Sequence, residues 1–157
     1  MGNYTGSKAF GGPGTFLAVG NGASPEVYTE VAEIKTIKRS GSKMDTPDVT
    51  NMETVNRYRE YIATLLDAGE ISIEGNYIPH DTTQQNLQAL FDNATLAPWT
   101  ITNPAQSIEV SGDLLPGFWA FNAYLTSLDI DWDVAKEATF SAKLKVTGRP
   151  VYTDEAV

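Results

Sequence analysis

The clearest pattern along the chain is a strict alternation of apolar and polar residues near its C-terminal end. From Ala138 to Thr147, apolar side chains occupy every second position and polar side chains lie between them. Because successive side chains of a strand point to opposite faces, this pattern predicts an antiparallel strand with one buried face. A similar alternation over residues 70–77 predicts a second such strand, with Ile71, Ile73 and Tyr77 on its buried face.

A longer apolar run from Gly117 to Asp131 predicts a strand with an irregularity in the middle. Its apolar positions change parity near Thr126, which predicts a β-bulge or a bend: Trp119, Phe121, Ala123 and Leu125 share one face, whereas Leu128, Ile130 and Trp132 share the other. Shorter strands are predicted at residues 15–19, 99–102 and 107–111. The β-branched, threonine-rich segment 27–38 favours a strand with Val31, Ile34 and Ile37 as core contacts, although their spacing also fits a helix.

A single helix is predicted from residue 82 to about Ala94. Asp81 is its N-cap, and Gln84 lies three residues later in a capping-box pattern. The helix carries one apolar stripe at helical spacing, which we expect to lie on the sheet: Leu87, Leu90, Phe91 and Ala94. One helix among about seven strands predicts a mainly β fold, a β-sandwich or partly closed barrel with one flanking α-helix.

The 157 residues have room for one domain, which we place at residues 15–148. Residues 1–14 are rich in glycine and predict a flexible N-terminal arm, while residues 149–157 form a short, polar C-terminal arm. Residues 39–58 show no sustained period and contain several turn formers. Long loops inside a compact domain are usually functional or disordered, and this loop is the first feature that indicates a partner.

The formal net charge of −9 argues against a fixed grip on nucleic acid, which requires Lys and Arg to neutralise phosphates. Transient contact with DNA stays open. The absence of cysteine and the single histidine, His80, exclude thiolate and imidazole metal clusters, and no cofactor is expected. No apolar run approaches the length of a membrane span, and the first residues lack a secretory signal pattern. We therefore expect a protein that is made and kept in a cytosol.

Three candidate sites have simpler structural explanations. His80 beside Asp81 is the only possible imidazole base, but Asp81 is better explained as a helix cap, so no enzyme is expected. Asp129, Asp131 and Asp133 could ligate calcium, but they lack the glycine turn of a calcium loop and favour a solvated acidic face. Three tryptophans and Tyr124 could stack on sugars, yet their places in alternating strands favour core packing: Trp99, Trp119 and Trp132.

The charges are unevenly distributed along the chain. No lysine or arginine occurs between Glu60 and Trp132, whereas acidic residues occur throughout that stretch. This segregation favours contact between copies of one subunit, basic loop to acidic body, although an uneven solvated surface explains it as well. The candidate contact residues are Lys38, Arg39, Lys43, Arg57, Arg59 and Arg149. The candidate acidic surface is Glu70, Glu74, Asp129 and Asp131.

Three segments resemble the major tail tube protein of long non-contractile-tailed bacteriophages. They are residues 60–77, which contain Leu-Asp-Ala-Gly-Glu at 66–70, the helix at 83–91, and the ending Lys-Val-Thr-Gly-Arg-Pro at 145–150. The resemblance runs from about Gly14 to Pro150. It implies a structural subunit of a virion tail tube, without catalytic activity or cofactor, that is assembled in the cytoplasm of the host bacterium.

The same resemblance implies how the subunit is used. Six copies would form a ring whose inner sheets join into a β-barrel, and rings would stack around a tape-measure protein between a tail terminator and tail tip proteins. The loop 39–58 and the arms 1–14 and 149–157 would reach neighbouring rings. The tube would pass double-stranded DNA into the host cell without specific binding, and an acidic lumen would repel its phosphates. A related tube or terminator component and a carbohydrate-binding β-sandwich are the alternatives.

Overall fold

The computed structural model describes residues 12–103, 108–110, 113–115 and 117–154. The α-helix, α1, spans Thr82–Asp92, and a 3-10 turn spans Val55–Arg57. The strands in chain order are β1 Phe16–Gly20, β2 Tyr28–Glu30, β3 Ile34–Ser40, β4 Lys43–Met44, β5 Leu66–Asp67, β6 Glu70–Asn76, β7 Leu96–Thr102, β8 Ile108–Val110, β9 Asp113–Leu115, β10 Gly117–Asp131 and β11 Thr139–Asp154.

Seven strands form one antiparallel sheet in the order β2-β1-β7-β10-β11-β6-β3. The edge strands β2 and β3 are joined by only three residues, which span at most about 11 Å, so the two edges must approach each other. The connection bonds to both sides: the Val31 amide donates to the Leu17 carbonyl (2.8 Å), and the Asn76 amide donates to the Glu33 carbonyl (3.0 Å). The sheet is therefore curled into a partly closed barrel, and the predicted fold class is confirmed.

The hydrophobic core lies inside this curl. Helix α1 contributes to the core while contacting mainly β10. The largest fully buried side chains come from six different segments: Trp99, Leu17, Ile71, Ile73, Leu87, Leu144 and Val31. Each large apolar side chain buried in this way contributes roughly 1.5–3 kcal/mol relative to full exposure. The core therefore unites strands that are distant in the chain, and it needs no second domain.

Helix α1 begins where the sequence predicts. The Asp81 carboxylate accepts hydrogen bonds from the backbone amides of Thr83 (2.8 Å) and Gln84 (3.2 Å), which confirms the N-cap. Leu87 is buried and Leu90 packs against the core, but Phe91 and Ala94 are exposed. The predicted apolar stripe is therefore wrong in its second half, because the helix ends at Asp92 and only its side above the sheet is covered.

Gln84 has a different role from the predicted capping box. Its side chain is buried, and its Nε2 donates to the carbonyls of Ala32 (3.1 Å) and Asn76 (2.8 Å). Its Oε1 accepts from the Ile78 amide (2.8 Å). One side chain thus ties the β2–β3 connection, the end of β6 and the approach to α1 together at one end of the barrel.

Two predicted strands have different limits in the structure. The strand predicted at residues 27–38 is split into β2 and β3, because Glu33 adopts a φ of 62° where the chain crosses between the sheet edges. The last strand does not end at Thr147 but continues to Asp154. Gly148 (φ 77°) absorbs the irregularity, and residues 151–154 pair with 117–120 of β10. Residues 149–154, predicted as an arm, are therefore part of a strand.

Strand β10 has the predicted bounds. Its pairing with β11 shifts register between Leu125 and Ser127, which confirms the predicted slip. The remaining arm residues, 1–11 and 155–157, lie outside the described part of the chain.

Candidate assembly surfaces

Residues 41–69 form a projecting antiparallel hairpin rather than a structureless loop. Strands β4 and β5 pair Lys43 with Asp67 and Met44 with Leu66. Backbone bonds extend this ladder outward, from the Asp45 amide to the Leu65 carbonyl (2.8 Å) and from the Val49 amide to the Glu60 carbonyl (2.8 Å). The predicted loop 39–58 covers the end of β3 and only the outgoing half of this hairpin.

The hairpin exposes large apolar side chains along its whole length. Among its described side chains, only Ala68, at the base, packs against the core. Isolated two-stranded hairpins are at best marginally stable, and a connected apolar surface on a soluble protein usually marks an interaction site. The exposed residues include Met52 (102%), Tyr58 (76%), Leu65 (74%) and Leu66 (74%), followed by Tyr61, Met44, Ile62 and Val49.

Two glycines face each other at the base of the hairpin. Gly41 and Gly69 have φ angles of 79° and 83°, in the left-handed region that favours glycine. A Cβ atom at Gly69 would lie 2.1 Å from the Ser40 carbonyl oxygen, so no larger residue fits there. At this point the β-ribbon formed by β3 and β6 changes direction and leaves the core.

An ion pair holds the hairpin base against β11. The Lys145 Nζ lies 3.1 Å from an Asp67 carboxylate oxygen, which also accepts from the Gly69 amide (2.8 Å). The Gly69 amide, and next the Lys145 ammonium, hold the pKa of Asp67 below its ordinary value. Both side chains are well exposed, so this pair positions the hairpin and contributes little to overall stability.

An open groove of ≈ 920 Å³ lies between the hairpin base and β11. Three of the six predicted contact residues line it: Arg39, Lys43 and Arg149. Leu65, Leu66 and Pro150 form part of its apolar lining. Strand β11 builds one wall of this groove because it continues beyond Thr147.

Arg39 also covers the end of the core that is open beside the groove. Its guanidinium lies 4.9 Å from the centre of the Trp119 ring, and Trp119 in turn packs against Tyr152, with ring centres 5.2 Å apart. Such a cation–π contact contributes roughly 0.5–1 kcal/mol at an exposed site. Trp119 and Tyr152 are paired across β10 and β11, so this cluster also depends on the extended end of β11.

The other predicted contact residues lie elsewhere. Arg57 is in the 3-10 turn near the hairpin tip, with a φ of 62°. Arg59 is 4.0 Å from Asp48 within the hairpin, and Lys38 is in β3, opposite Ser72. The hairpin carries three basic and five acidic side chains, so it is not basic overall. Its distinguishing property is apolar exposure rather than positive charge.

The four predicted acidic residues do share one surface. The register of β3, β6, β11 and β10 places Glu70, Glu74, Asp129 and Asp131 on the outward side of the curled sheet, away from the core. Three lysines lie on the same side, between the carboxylates. We call this surface, made of Glu70, Glu74, Asp129, Asp131, Lys38, Lys143 and Lys145, the charged face.

The alternative sites do not assemble in the structure. Trp99 is buried in the core, Trp119 lies beneath Arg39, and Trp132 is 69% exposed and makes a T-shaped ring contact with Tyr77. The prediction that Trp132 packs in the core is therefore wrong, and the three tryptophans form no common platform. Tyr124 is 41% exposed on the outward side of β10.

The chemistry of the remaining acidic residues is structural. The Thr83 hydroxyl and then the backbone amides of Gln84 and Thr83 hold the pKa of Asp81 below its ordinary value, as expected of a helix cap. The neighbouring His80 is exposed. In the described part of the chain, no three His, Asp or Glu side chains come close enough to hold a metal ion. The described residues also contain no helix that is long and apolar enough to cross a membrane.

Several solved structures share this fold. A chain of the virion of a native gene transfer agent particle superimposes with a TM-score of 0.69 at 16% identity, covering 92% of this chain and 99% of that one. The SPP1 tail tube gives a TM-score of 0.69 at 14% identity over 94% and 80%. The sheath/tube terminator of an extracellular contractile injection system gives 0.66 at 14% over 92% and 96%. At these identities the likeness establishes the fold alone.

Sequence comparison identifies the family. A search of curated protein sequences finds no match. The family model described as lambda phage tail tube protein, TTP, matches residues 10–153, which include the hairpin, α1 and all of the curled sheet except Asp154. The protein therefore belongs to the lambda phage tail tube protein family, and it is a structural component of a phage-type tail rather than an enzyme.

Proposed function

We propose that copies of this protein form hexameric rings that stack around a tape-measure protein into a hollow tube, through which the genome passes into the host. The observation that carries the proposal is the hairpin 41–69, which projects from the body and exposes apolar side chains that its own core does not cover. A heterologous contact that closes generates a ring, and a second contact that does not close generates a filament.

Features of solved relatives support this arrangement. The tail of the empty gene transfer agent particle was refined with helical and C6 symmetry, and its chain shares this fold with a TM-score of 0.66 at 17% identity. The fold is also shared by the sheath/tube terminator of an extracellular contractile injection system, by the tube terminating cap of the anti-feeding prophage and by a chain of the anti-feeding prophage baseplate. These likenesses support terminator and tail tip proteins as partners at the two ends of the tube.

Within the tube, we assign the contacts between rings to the hairpin and to the two ends of the chain. The groove residues Arg39, Lys43 and Arg149 lie at the root of the hairpin, where the next ring would press against β11. Arg57 and Arg59 lie farther out along the hairpin, whereas the register of β3 places Lys38 on the charged face, so we do not assign Lys38 to the contacts between rings. Residues 149–154 would contribute to these contacts from the end of β11, and the predicted arm 1–14 would add contacts of its own.

The charged face is the proposed lining of the conduit. It is the outward side of strands whose other side is covered by the core, and it carries four carboxylates. Carboxylates repel phosphates and let double-stranded DNA slide without being bound. The excess of negative charge over the whole chain, −9, has the same effect.

The decisive test removes the hairpin and keeps the body. In the test variant, Lys43–Asp67 is replaced by an Asn-Gly turn, so that the β3–β6 ribbon closes just beyond its glycines. We expect this variant to fold, by circular dichroism, and to stay monomeric by light scattering, while the full chain forms rings and stacked tubes in negative-stain electron microscopy. Hairpin-less tubes of normal length would contradict the proposal.

A matched control separates apolar contact from charge. Leu65→Ser combined with Leu66→Ser removes apolar surface from the hairpin, whereas Arg57→Gln combined with Arg59→Gln removes its outer charges. We expect the serine variant to lose tubes at all salt concentrations. The glutamine variant should be weakened most at low salt, where exposed charges interact over a longer range. Equal loss in both variants would show that apolar contact is not what drives stacking.

A tail terminator is the second candidate, because terminator components share the fold. A terminator ends a tube and therefore forms single rings that do not stack. Electron micrographs that contain rings but no stacks, over a concentration series, would favour that role.

A further inference from the structure

The charges of the charged face are arranged in rows that run across the strands. In one row, Lys38 of β3 is opposite Ser72 of β6, Ser72 is opposite Lys143 of β11, and Lys143 is opposite Ser127 of β10. This row contains two lysines and two serines and no acidic residue. Both lysines are exposed.

The neighbouring row has the opposite charge. Thr36, Glu74, Ser141 and Asp129 face one another across the same four strands. The two rows are two residues apart along each strand, about 6.6 Å. The face is therefore banded, a basic row beside an acidic row, rather than uniformly acidic.

The charges of the basic row are not neutralised within the subunit. Glu74 is a diagonal neighbour of Lys143, at a separation of about 7–8 Å that long side chains bridge. Nevertheless, the ion pairs in the described part of the chain use Lys35, Arg59 and Lys145 and leave Lys38 and Lys143 unpaired. Their ammonium groups are therefore available to an external anion.

The spacing of the row suits a phosphate backbone. Lys38 and Lys143 are two strands apart, about 10 Å, and the small side chain of Ser72 lies between them. A lysine ammonium is a flexible point charge with three donors, so it follows a moving line of phosphates without fixing one geometry. Lysines of this kind release counterions from DNA independently of base sequence.

We propose that Lys38 and Lys143 form a row of weak phosphate contacts for duplex DNA on the charged face. The inference rests on the proposed function, in which this face lines the conduit. When subunits join into a ring, each copy repeats the row, and the lysines form a basic band beside the acidic band of Glu74 and Asp129. The basic band attracts the phosphates that the acidic band repels, so the contacts to the duplex stay weak and the duplex slides.

The test compares tubes that differ only in where two positive charges are lost. The row variant carries Lys38→Gln and Lys143→Gln. The matched control carries Lys35→Gln and Lys136→Gln, which change the net charge equally but lie outside the row. Each protein is incubated with a fluorescently labelled short duplex at low salt, the assembled material is sedimented, and the retained duplex is measured. Electron microscopy of the same samples scores tube formation separately.

We expect the row variant to retain about fivefold less duplex than the unsubstituted tubes, which corresponds to about 0.5 kcal/mol for each lysine. The control should retain as much as the unsubstituted tubes, and retention should fall between about 50 and 200 mM salt. Equal retention by the row variant and the control would overturn the proposal. So would retention of a polyglutamate peptide in preference to the duplex, which would identify the row as a binding surface for an acidic protein segment.

A second measurement uses the unassembled subunit. Amide chemical shifts should change most at residues 38, 72 and 143 when duplex is added at low salt, and changes centred elsewhere would overturn the assignment. If the unsubstituted protein forms no tubes, the proposed function is wrong. If the row variant forms intact tubes and retains as much duplex as the unsubstituted protein, only the proposal for the basic row is wrong.

Discussion

Strands β3 and β6 and the hairpin beyond them are two halves of one β-ribbon, but only the first half lies over the core. Ile71 and Ile73 in β6 are 1% and 2% exposed, whereas Leu65 and Leu66 in the hairpin are each 74% exposed. Both halves are antiparallel and rich in large apolar residues. The difference arises at Gly41 and Gly69, where the ribbon turns away from the barrel.

The apolar residues of a strand are therefore part of the core only where another layer covers them. In the first half, the other side chains of the core cluster, including Leu87 of α1, supply that layer within the same chain. In the second half no such layer exists among the described residues, so the free energy of burial is available for assembly. The exposed half is then the part of the molecule that another chain must cover.

The largest effect should come from paired truncations in the two halves. Ile73→Ala removes a buried side chain and should lower the free energy of unfolding by about 2–5 kcal/mol, because it leaves a cavity. Leu66→Ala should change it by less than about 0.5 kcal/mol in the monomer, because the side chain is already in water. Urea unfolding followed by circular dichroism measures both. Similar losses in the two variants would show that the hairpin packs on its own body.

The glycine at the turn should have the next largest effect. Gly69→Ala should destabilise the monomer by about 1–3 kcal/mol, because the new Cβ collides with the Ser40 carbonyl and the φ angle is unfavourable. Gly148→Ala is the matched control: its φ is also positive, but nothing lies within 4 Å of the new Cβ. Thermal unfolding should rank Gly69→Ala below Gly148→Ala, and the reverse order would refute the close contact.

Smaller effects on stability are expected at two acidic residues with lowered pKa values, one in the body and one in the hairpin. Asp81→Ala removes the cap of α1 in the body and should cost about 1 kcal/mol of global stability. Asp67→Ala acts on the hairpin base, and the loss of its exposed pair with Lys145 should change global stability less than the loss of the cap. Amide hydrogen exchange should nevertheless show faster exchange at residues 43–45 and 64–66 in Asp67→Ala. Unchanged exchange there would mean that the ion pair does not hold the hairpin.

The smallest effect concerns pH. The folded pKa of Asp81 lies below its ordinary value of 3.8. The stability that the cap contributes should therefore be complete above the ordinary value and be lost as the pH falls through the lowered folded pKa. The difference in unfolding free energy between the unsubstituted protein and Asp81→Ala should be constant near neutral pH and shrink in acid. A difference that grows on acidification would contradict the cap's charged state.

The sequence was sufficient to predict those elements whose formation depends only on residues within one short segment. The alternation over Gly117–Asp131 and the cap at Asp81 predict elements that the structure confirms, because strand parity and capping depend on neighbours in the chain. The charged face was also partly predictable, since its four carboxylates stand out in a stretch without basic residues. The lysines among them were assigned elsewhere, because only the register of four strands brings them to the same side.

The sequence alone was therefore sufficient to predict a mainly β domain with one capped helix, an uneven distribution of charge and a resemblance that the family assignment confirms. Only the folded chain shows which apolar residues are core and which are left for a partner, and only the fold separates Arg39, which covers Trp119, from Lys38, which lies on the charged face. The physical reason is that burial and charge neighbourhood depend on pairing between distant strands. Gly69 shows this best, because only the approach of the Ser40 backbone explains why the ribbon turns there.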